Sequence, residues 1–181
     1  DEILTKGLLE KQTLVSNALI DMYVKCGDIV MAEEVFNGLP TRDLISWTSI
    51  IAGYSEYGYG EEALNYYKRM QDDGFSADGF TFSCILKACG SITAIDNGRE
   101  LHAEIVRAGW LRKDVLIGNA LMDMYFKCGA LEKAREVFEQ FLVPDVVSWN
   151  VLIGGYAQHG LGEEALSCFK WMQDVGVHPN V

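Results

Sequence analysis

Residues 17–27 have the sequence Asn-Ala-Leu-Ile-Asp-Met-Tyr-Val-Lys-Cys-Gly, and residues 119–129 have the nearly identical sequence Asn-Ala-Leu-Met-Asp-Met-Tyr-Phe-Lys-Cys-Gly. The second copy begins 102 residues after the first. When residues 1–79 are laid over residues 103–181 without gaps, about 45% of the positions are identical. Self-similarity at a fixed spacing is typical of proteins built from tandem repeats. The chain is therefore predicted to be a repeat protein.

Apolar residues inside the repeated stretch follow the spacing of a helix. Leu19, Met22 and Tyr23 stand at i, i+3 and i+4, on one helical face with Cys26, and Gly27 is of the type that ends helices. Because two one-sided helices cannot bury their apolar faces alone, neighbouring pairs must stack. The chain is predicted to be an all-α solenoid of tandem helix–turn–helix repeats. Further core residues are predicted at the matching positions: Ala32, Val35, Phe36, Ala63, Leu64, Tyr67, Met70, Leu121, Met124, Tyr125, Cys128, Ala165, Leu166, Phe169 and Met172.

Short turn signals divide the chain into five complete units. Each is predicted to contain two helices, and a twelve-residue stretch before the first unit matches the end of the third. The predicted organisation is an end of an earlier repeat at 1–12, followed by repeats at 13–43, 44–78, 79–114, 115–145 and 146–180.

Composition narrows the class of function. The net charge is −11, which does not favour generic binding to nucleic-acid phosphates, because such binding needs a basic face. The chain lacks the run of about 18 apolar residues that a membrane span needs and the start typical of a signal peptide, and it is interpreted as an internal piece of a longer protein. The five cysteines form no C-x-x-C pair, so they are predicted to be small buried hydrophobes rather than zinc ligands or disulfides.

No catalytic constellation is visible in the sequence. His102, His159 and His178 lie in different units, without the spacing of metal ligands and without a neighbouring nucleophile pattern. We predict structural or solvent-exposed roles for all three, and no catalytic residue, metal site, cofactor or small-molecule substrate.

The repeat motifs identify a resemblance to a known family. The chain contains N-A-L-x-D-M-Y-x-K-C-G at Asn17 and Asn119, M-x-x-x-G-x-x-x-(D/N) at 70–78 and 172–180, F-T-F-S-x-I-L-K-A-C at 80–89 and G-R-E-L-H-A at 98–103. It closely resembles the PLS subclass of the plant pentatricopeptide repeat family, in the order L tail, S, P, L, S, P. The W-x₂-L-G-x₂-Y pattern of tetratricopeptide repeats does not fit its first helices.

The resemblance implies a right-handed superhelix that reads single-stranded RNA at one base per repeat. In this family the fifth and the last residue of a repeat specify the base. The resemblance implies uridine for Asn17 with Asp43, guanosine for Thr48 with Asp78, uridine for Asn119 with Asp145, and cytidine for Asn150 with Asn180. It leaves open the base for Ser83 with Asp114 in the L repeat. The implied target is 5′-U-G-N-U-C.

Other positions receive roles by the same resemblance. The second residue of each repeat is implied to hold the bases by sandwiching them: Leu14, Ile45, Phe80, Leu116 and Val147. Lys25 and Lys127 are implied to meet phosphates, whereas the P repeats have Glu56 and Gln158 at that position.

Simpler explanations exist for the same residues. The four aspartates precede predicted helices, where aspartate is a favoured N-cap, and the second-position residues would also suit a core. Asn17 and Asn119 are harder to explain structurally, because asparagine is a poor residue inside a helix.

The resemblance implies an RNA-binding, non-enzymatic segment that selects sites for organellar cytidine-to-uridine editing. The deaminase signature combines H-x-E with C-x-x-C; the chain has no C-x-x-C, so such a domain would lie outside this segment. The implied location is the mitochondrion or the chloroplast. The alternative is a protein-interaction scaffold, with editing-factor proteins as partners of the L repeat.

Overall fold

The computed structural model describes residues 2–178 and, within them, the side chains of residues 12–111 and 113–178. These residues form ten α-helices, one short 3-10 helix and no strand. The helices are α1 (Glu2–Lys25), α2 (Ile29–Asn37), α3 (Leu44–Glu56), α4 (Gly60–Asp72), α5 (Gly79–Ser91), α6 (Ile95–Arg107), α7 (Val115–Lys127), α8 (Leu131–Phe138), α9 (Val146–Gln158) and α10 (Gly162–Asp174), with the 3-10 helix at Trp110–Arg112.

The helices form two compact bodies, residues 1–88 and residues 89–181. In the first body, α1 packs on α2 and α3, and α3 packs on α4; in the second body, α7 packs on α8 and α9, and α9 packs on α10. Glycines with positive φ, such as Gly27 at 81° and Gly129 at 73°, separate the first helix of a repeat from the second. Such a left-handed residue ends a helix at no steric cost when it has no side chain. Each body is thus built from helical pairs.

An aromatic cluster forms the core of the first body. The Trp47 side chain is 1% exposed, and its ring lies 4.8 Å from that of Phe36. Two guanidinium groups complete the cluster: that of Arg42 lies 4.9 Å from the Phe36 ring, and that of Arg69 lies 4.5 Å from the Tyr66 ring. Cation–π contacts of this kind contribute more when the cation is partly removed from water.

The second body has an aromatic cluster at the same repeat positions, formed by different residues. Its Trp149 ring lies 4.7 Å from Phe138 and 4.9 Å from Trp171. Trp171 stands at the position of Arg69 and Pro144 at that of Arg42. The two tryptophans at this repeat position are both buried, one under cations and the other under an aromatic ring.

Glycines allow the first helices of successive repeats to approach closely. A Cβ atom at Gly53 would lie 2.6 Å from Cγ2 of Val24, and a Cβ atom at Gly155 would lie 2.3 Å from Cδ2 of Phe126. Real side chains do not reach such distances, so α1 and α3, and likewise α7 and α9, are close enough to exclude any larger residue.

No turn separates residues 1–12 from residues 13–43, because α1 runs through the boundary. In the matching segment of the second body, Gly109 has a φ of 73° and Asp114 caps α7. Gln12 stands at the position of Asp114. Glutamine is a good helix former and not an N-cap, so nothing in the sequence there starts a new helix.

Part of the predicted core is exposed. Met124 and Leu121 are fully buried, as expected, whereas Met22 is 42% and Leu19 is 37% exposed. In the second body α6 packs on α7, whereas among residues 2–178 no helix precedes α1. The same reason leaves Cys26 exposed while Cys128 is half-buried. At the other end, Leu166 is 63% exposed, so its assignment to the core was wrong.

Within the described part of the chain, no helix is both long enough and apolar enough to cross a bilayer.

Two adjacent glycines of α9 provide a test of this packing. Gly154→Ala is expected to stabilise the fold by about 0.5–1 kcal/mol, because no atom lies within 4 Å of the added methyl group and alanine favours helices. Gly155→Ala is expected to destabilise it by about 1–3 kcal/mol, because the methyl group meets Phe126 near the base of its ring. Urea unfolding measures both changes. Equal effects of the two substitutions would contradict the close approach of α7 and α9.

Candidate nucleic-acid interface

An aspartate precedes the first helix of each repeat after the first, and its carboxylate caps that helix. Oδ1 of Asp43 accepts a hydrogen bond from the backbone N–H of Ser46 at 2.8 Å, and Oδ1 of Asp145 accepts one from Ser148 at 2.8 Å. Asp78 accepts in the same way from the N–H of Thr81 at 2.8 Å. A cap satisfies one of the helix N–H groups that has no partner within the helix. These aspartates therefore do cap helices, as the simpler explanation predicts.

Hydroxyl groups hold the same carboxylates a second time. The hydroxyls of Ser46, Thr81 and Ser148 donate to Oδ1 of the preceding aspartate at 2.7, 2.7 and 2.9 Å. Sequence reasoning missed these three residues, although each is the fourth residue of a recurring D-x-x-(S/T) pattern. Asp114 lacks such a partner, because Ile117 follows it; its Oδ1 accepts instead from the N–H of Leu116 at 2.9 Å. Three of the four carboxylates thus have a fixed orientation.

The structure brings Asn17 and Asp43 into direct contact. The Asn17 amide nitrogen donates to Oδ1 of Asp43 at 3.0 Å and to Oδ2 at 3.2 Å. Asn17 is 6% exposed, and its Oδ1 is buried with no partner among the described residues. An unpaired buried acceptor costs about 1–3 kcal/mol, so this arrangement is not explained by capping alone.

Asn119 is placed in the same way in the second body. It is also 6% exposed, and neither its amide nitrogen nor its amide oxygen forms a hydrogen bond within the described chain. The amide lies near enough to Asp145 to influence the pKa of that carboxyl. Two buried, incompletely paired asparagines therefore occupy the same repeat position.

Thr48 and Asp78 are linked through a third residue. The hydroxyl oxygens of Thr48 and Thr81 lie 3.0 Å apart, and the Thr81 hydroxyl donates to Asp78. Thr48 is 8% exposed and Thr81 is fully buried. The predicted pair is thus connected, although its members do not touch each other directly.

The remaining predicted pairs are less complete. The Ser83 hydroxyl donates to the carbonyl of Gly79 within its own helix at 3.0 Å, and Asp114 belongs to the second body. Asn150 is exposed, and Asn180 lies outside the described residues. In all five repeats the assignment of base-reading residues stays a prediction.

The second-position residues are exposed, which excludes the explanation that they belong to the core. Each is the second residue after the aspartate or, for Leu14, after Gln12 at the same repeat position; four of them lie in the first turn of a helix, and Leu14 lies within α1. Large apolar side chains that recur on a surface at one repeat position indicate a contact site. The exposed fractions are 69% for Leu14, 60% for Ile45, 61% for Phe80, 61% for Leu116 and 50% for Val147.

Both candidate phosphate-binding lysines already have acidic partners. The Lys25 ammonium lies 2.6 Å from Asp21, and that of Lys127 lies 2.7 Å from Asp123, each one helical turn earlier. All four side chains are well exposed, so each pair contributes little to stability. An RNA phosphate would compete with these carboxylates for the same cation.

The environment of two of the capping aspartates, Asp43 and Asp145, lowers their pKa. Burial raises the pKa of Asp43, but the Ser46 backbone N–H, the Ser46 hydroxyl and the Asn17 amide together outweigh it, so the pKa lies below 3.8. Burial likewise raises the pKa of Asp145, and Ser148 together with Asn119 lowers it further than burial raises it. Both groups are held as carboxylates that only accept hydrogen bonds.

The histidines have structural surroundings. Nδ1 of His102 lies 2.8 Å from the hydroxyl of Tyr125, and burial is the main cause of its lowered pKa. Nδ1 of His159 lies 2.9 Å from the carbonyl of Gly155. Among the described residues, no group of three potential ligands is arranged to hold a metal ion.

Known proteins resemble the chain in both sequence and fold. It matches the PPR repeat family over residues 42–91 and 144–181, and the PPR repeat over residues 15–44 and 119–143. It is 41% identical over 175 residues to the chloroplastic pentatricopeptide repeat-containing protein At4g25270 of Arabidopsis thaliana, which covers 96% of this chain and 33% of that protein. It is 38% identical over 172 residues to the mitochondrial pentatricopeptide repeat-containing protein At3g13770 of the same plant, with coverage of 95% and 27%.

A solved structure supports the same fold. The pentatricopeptide repeat protein PPR10, crystallised in complex with an 18-nt psaJ RNA element, matches with a TM-score of 0.77 at 19% identity, over 92% of this chain and 26% of that one. The chain therefore belongs to the pentatricopeptide repeat family, and the predicted all-α solenoid fold is confirmed. It spans about a third or less of the length of these relatives. Because the relatives are chloroplastic or mitochondrial, the predicted location in one of these organelles is confirmed.

The hydroxyl contact of Ser46 has a measurable effect on Asp43. Ser46→Ala removes one donor to the carboxylate, so the pKa of Asp43 is expected to rise towards 3.8, while that of Asp145, in the other body, stays unchanged and serves as the reference. Because the pKa is lowered in the folded chain, the stability that Asp43 contributes is present above the unfolded pKa and is lost as the pH falls through the folded value. A carbon NMR titration of the two carboxyls measures this change, and an unaltered Asp43 would show that the hydroxyl does not hold it.

Proposed function

We propose that the chain binds single-stranded organellar RNA by sequence, at one base per repeat, and that its target is 5′-U-G-N-U-C. The observation that carries this proposal is the pair of buried asparagines, Asn17 and Asn119, with polar atoms that lack partners in the protein. They recur at one repeat position, beside exposed apolar residues. A base edge would supply the missing hydrogen bonds.

The chemistry of the first repeat favours uridine. The Asp43 carboxylate accepts from the Asn17 amide nitrogen and thereby turns the amide oxygen away as a free acceptor. Uracil presents an N–H donor between two carbonyl acceptors, so its N–H matches the free oxygen and a carbonyl matches the remaining amide N–H. Cytosine has an unprotonated ring nitrogen at the same place, which would oppose the oxygen.

The exposed apolar residues would supply affinity without choice of base. In this proposal, each base inserts between the second-position residues of neighbouring repeats, such as Leu14 and Ile45, which are 69% and 60% exposed. Apolar and stacking contacts tolerate any base, since every base has an apolar face. Sequence choice would then come from the fifth and last residues alone.

We further propose that the chain belongs to the PLS subclass and selects cytidines for conversion to uridine. The support is the alternating L, S, P order of its motifs. In this proposal the chain recognises the site, and another segment or another protein carries out the deamination. The L repeat, 79–114, would contact editing-factor proteins.

The second candidate function is a protein-interaction scaffold. The net charge of −11 favours it, because a negative surface repels a polyanion. The two functions differ in one measurable respect: a scaffold has no preference between U-G-N-U-C and a permuted RNA, whereas a base reader does. Fluorescence anisotropy with the two RNAs separates them.

Thr48→Asn tests whether the fifth residue reads the second base. The substitution gives the repeat 44–78 the same residue type as Asn17, with a donor and an acceptor in place of a hydroxyl. We expect the preference at the second base to move from guanosine towards uridine by about tenfold, measured by anisotropy with U-G-N-U-C and U-U-N-U-C. Asn150, in the other P repeat, provides the control: Asn150→Thr is expected to leave the second base unaffected. An unchanged preference in Thr48→Asn would contradict the assignment.

Phosphate binding is expected to be weak in this chain alone. Lys25 and Lys127 are paired with carboxylates, so no nanomolar affinity is expected at physiological salt. Asp123→Asn frees Lys127 and is expected to raise the affinity several-fold and to steepen the logarithmic salt dependence by about 0.7. Asp96→Asn removes the same charge from a pair with Arg99 on α6 and is the matched control. Equal gains from both variants would mean that only the net charge matters.

A further inference from the structure

Thr81 connects the two residues that are proposed to read the second base, although it belongs to the following repeat. It is the third residue of α5 and is fully buried. Its hydroxyl contacts Thr48 and Asp78, which belong to the preceding repeat. We infer that Thr81 is a specificity-positioning residue, which fixes the Thr48 hydroxyl as a hydrogen-bond acceptor and thereby makes the repeat 44–78 prefer guanosine to adenosine. This inference rests on the proposed function.

The direction of the hydrogen bonds follows from counting protons. A hydroxyl has one proton to donate, and a carboxylate has none. The Thr81 hydroxyl lies 2.7 Å from Oδ1 of Asp78 and must donate to it, because two acceptors at that distance would repel each other. The contact of 3.0 Å between Thr48 and Thr81 then requires the Thr48 hydroxyl to donate. The Thr48 proton is therefore committed to the protein interior.

A second contact prevents the carboxylate from changing this direction. Oδ1 of Asp78 also accepts from the backbone N–H of Thr81 at 2.8 Å, as the cap of α5. Reorienting the carboxylate would leave that N–H without a partner, and Thr81 has no exposed surface at which water could replace the bond. The cap of α5 therefore fixes the directions of the two hydrogen bonds: Thr48 donates to Thr81, and Thr81 donates to Asp78.

The Thr48 oxygen that results presents lone pairs and no proton to a ligand. At the centre of its Watson–Crick edge guanine has an N1–H donor, whereas adenine has an unprotonated N1 acceptor. An oxygen that can only accept binds the first and repels the second. A threonine free to rotate its hydroxyl would accept from guanine or donate to adenine equally well. The preference therefore depends on Thr81 and not on Thr48 alone.

The S repeats do not share this arrangement. In the first of them the fifth residue is Asn17, which contacts Asp43 directly, while Ser46 bonds only to Asp43. Removal of the Ser46 hydroxyl therefore leaves the amide of Asn17 in contact with the carboxylate. We call the chain of hydrogen bonds from Thr48 through Thr81 to Asp78 the relay. Ser46→Ala is a matched control, because it removes a capping hydroxyl in the same way but does not interrupt a relay.

The experiment compares the unaltered chain with Thr81→Val, Thr81→Ser and Ser46→Ala. Valine has nearly the shape of threonine and keeps the backbone cap, and serine restores the hydroxyl. Affinities for U-G-N-U-C and U-A-N-U-C, with the third base kept constant, are measured by anisotropy at low salt, and thermal unfolding is followed alongside.

The unaltered chain is expected to prefer the RNA with guanosine by about tenfold, the size of one hydrogen bond. In Thr81→Val the ratio is expected to fall to about one, with a gain in affinity for the RNA with adenosine, which loss of structure would not produce. Thr81→Ser and Ser46→Ala are expected to keep the ratio. An unaltered ratio in Thr81→Val, or an equal loss of affinity for both RNAs, overturns the relay and leaves the proposed function standing. A chain that shows no preference before any substitution overturns the proposed function, and the relay with it.

Discussion

The structure depends on a carboxylate at the junction between successive repeats. One oxygen of Asp43 or Asp78 accepts the N–H group that begins the next helix, and a hydroxyl of that helix holds the same oxygen. The residue thereby fixes where one repeat ends and how the next first helix starts. It also faces the fifth residue of the repeat that it closes, directly in one case and through Thr81 in the other. Helix capping and the proposed reading of bases therefore use the same atoms, and capping removes the rotational freedom that a reading group has to lose. Since orientation is settled on folding, binding costs less entropy.

The charges and the exposed apolar residues of the chain are expected to contribute unequally to the affinity for RNA. The chain carries 26 acidic and 15 basic side chains, and its two best-placed lysines are neutralised by aspartates one turn away. In contrast, five apolar side chains at one repeat position, Leu14, Ile45, Phe80, Leu116 and Val147, are each at least half exposed. Under the proposed function, affinity would come mainly from stacking and hydrogen bonds rather than from phosphates. Under that proposal, such a surface would discriminate between bases and would bind other polyanions poorly.

The sequence was enough to predict the helical pairs, because apolar spacing and self-similarity are local properties that each copy carries in full. It failed where a residue depends on its neighbour. Met22 and Met124 occupy the same position of the same motif, yet only Met124 is buried. The reason is that α6 packs on α7, the helix of Met124, whereas among the described residues no helix precedes α1, the helix of Met22. No turn marks the predicted boundary at residue 12, because a glutamine stands where an aspartate would cap. The family resemblance paired Asn17 with Asp43 but did not predict their contact. The proposed role of Thr81 depends on the direction of a hydrogen bond between two repeats, which residue spacing does not show.

The two bodies also differ in how their S and P repeats fit together. In the first body the Tyr66 hydroxyl donates to Glu33 at 2.6 Å; in the second, Arg135 and Cys168 occupy those two positions. Arg42 and Arg69 cover the aromatic cluster of one body, and Pro144 and Trp171 replace them in the other. The two S motifs are almost identical, but the residues with which each S repeat contacts its P repeat differ. Neither S repeat therefore complements the P repeat of the other body. A designer who assembles recognition modules from this chain would do best to graft the S and P repeats as a single cassette, since the unit of exchange is the matched pair and not the individual repeat.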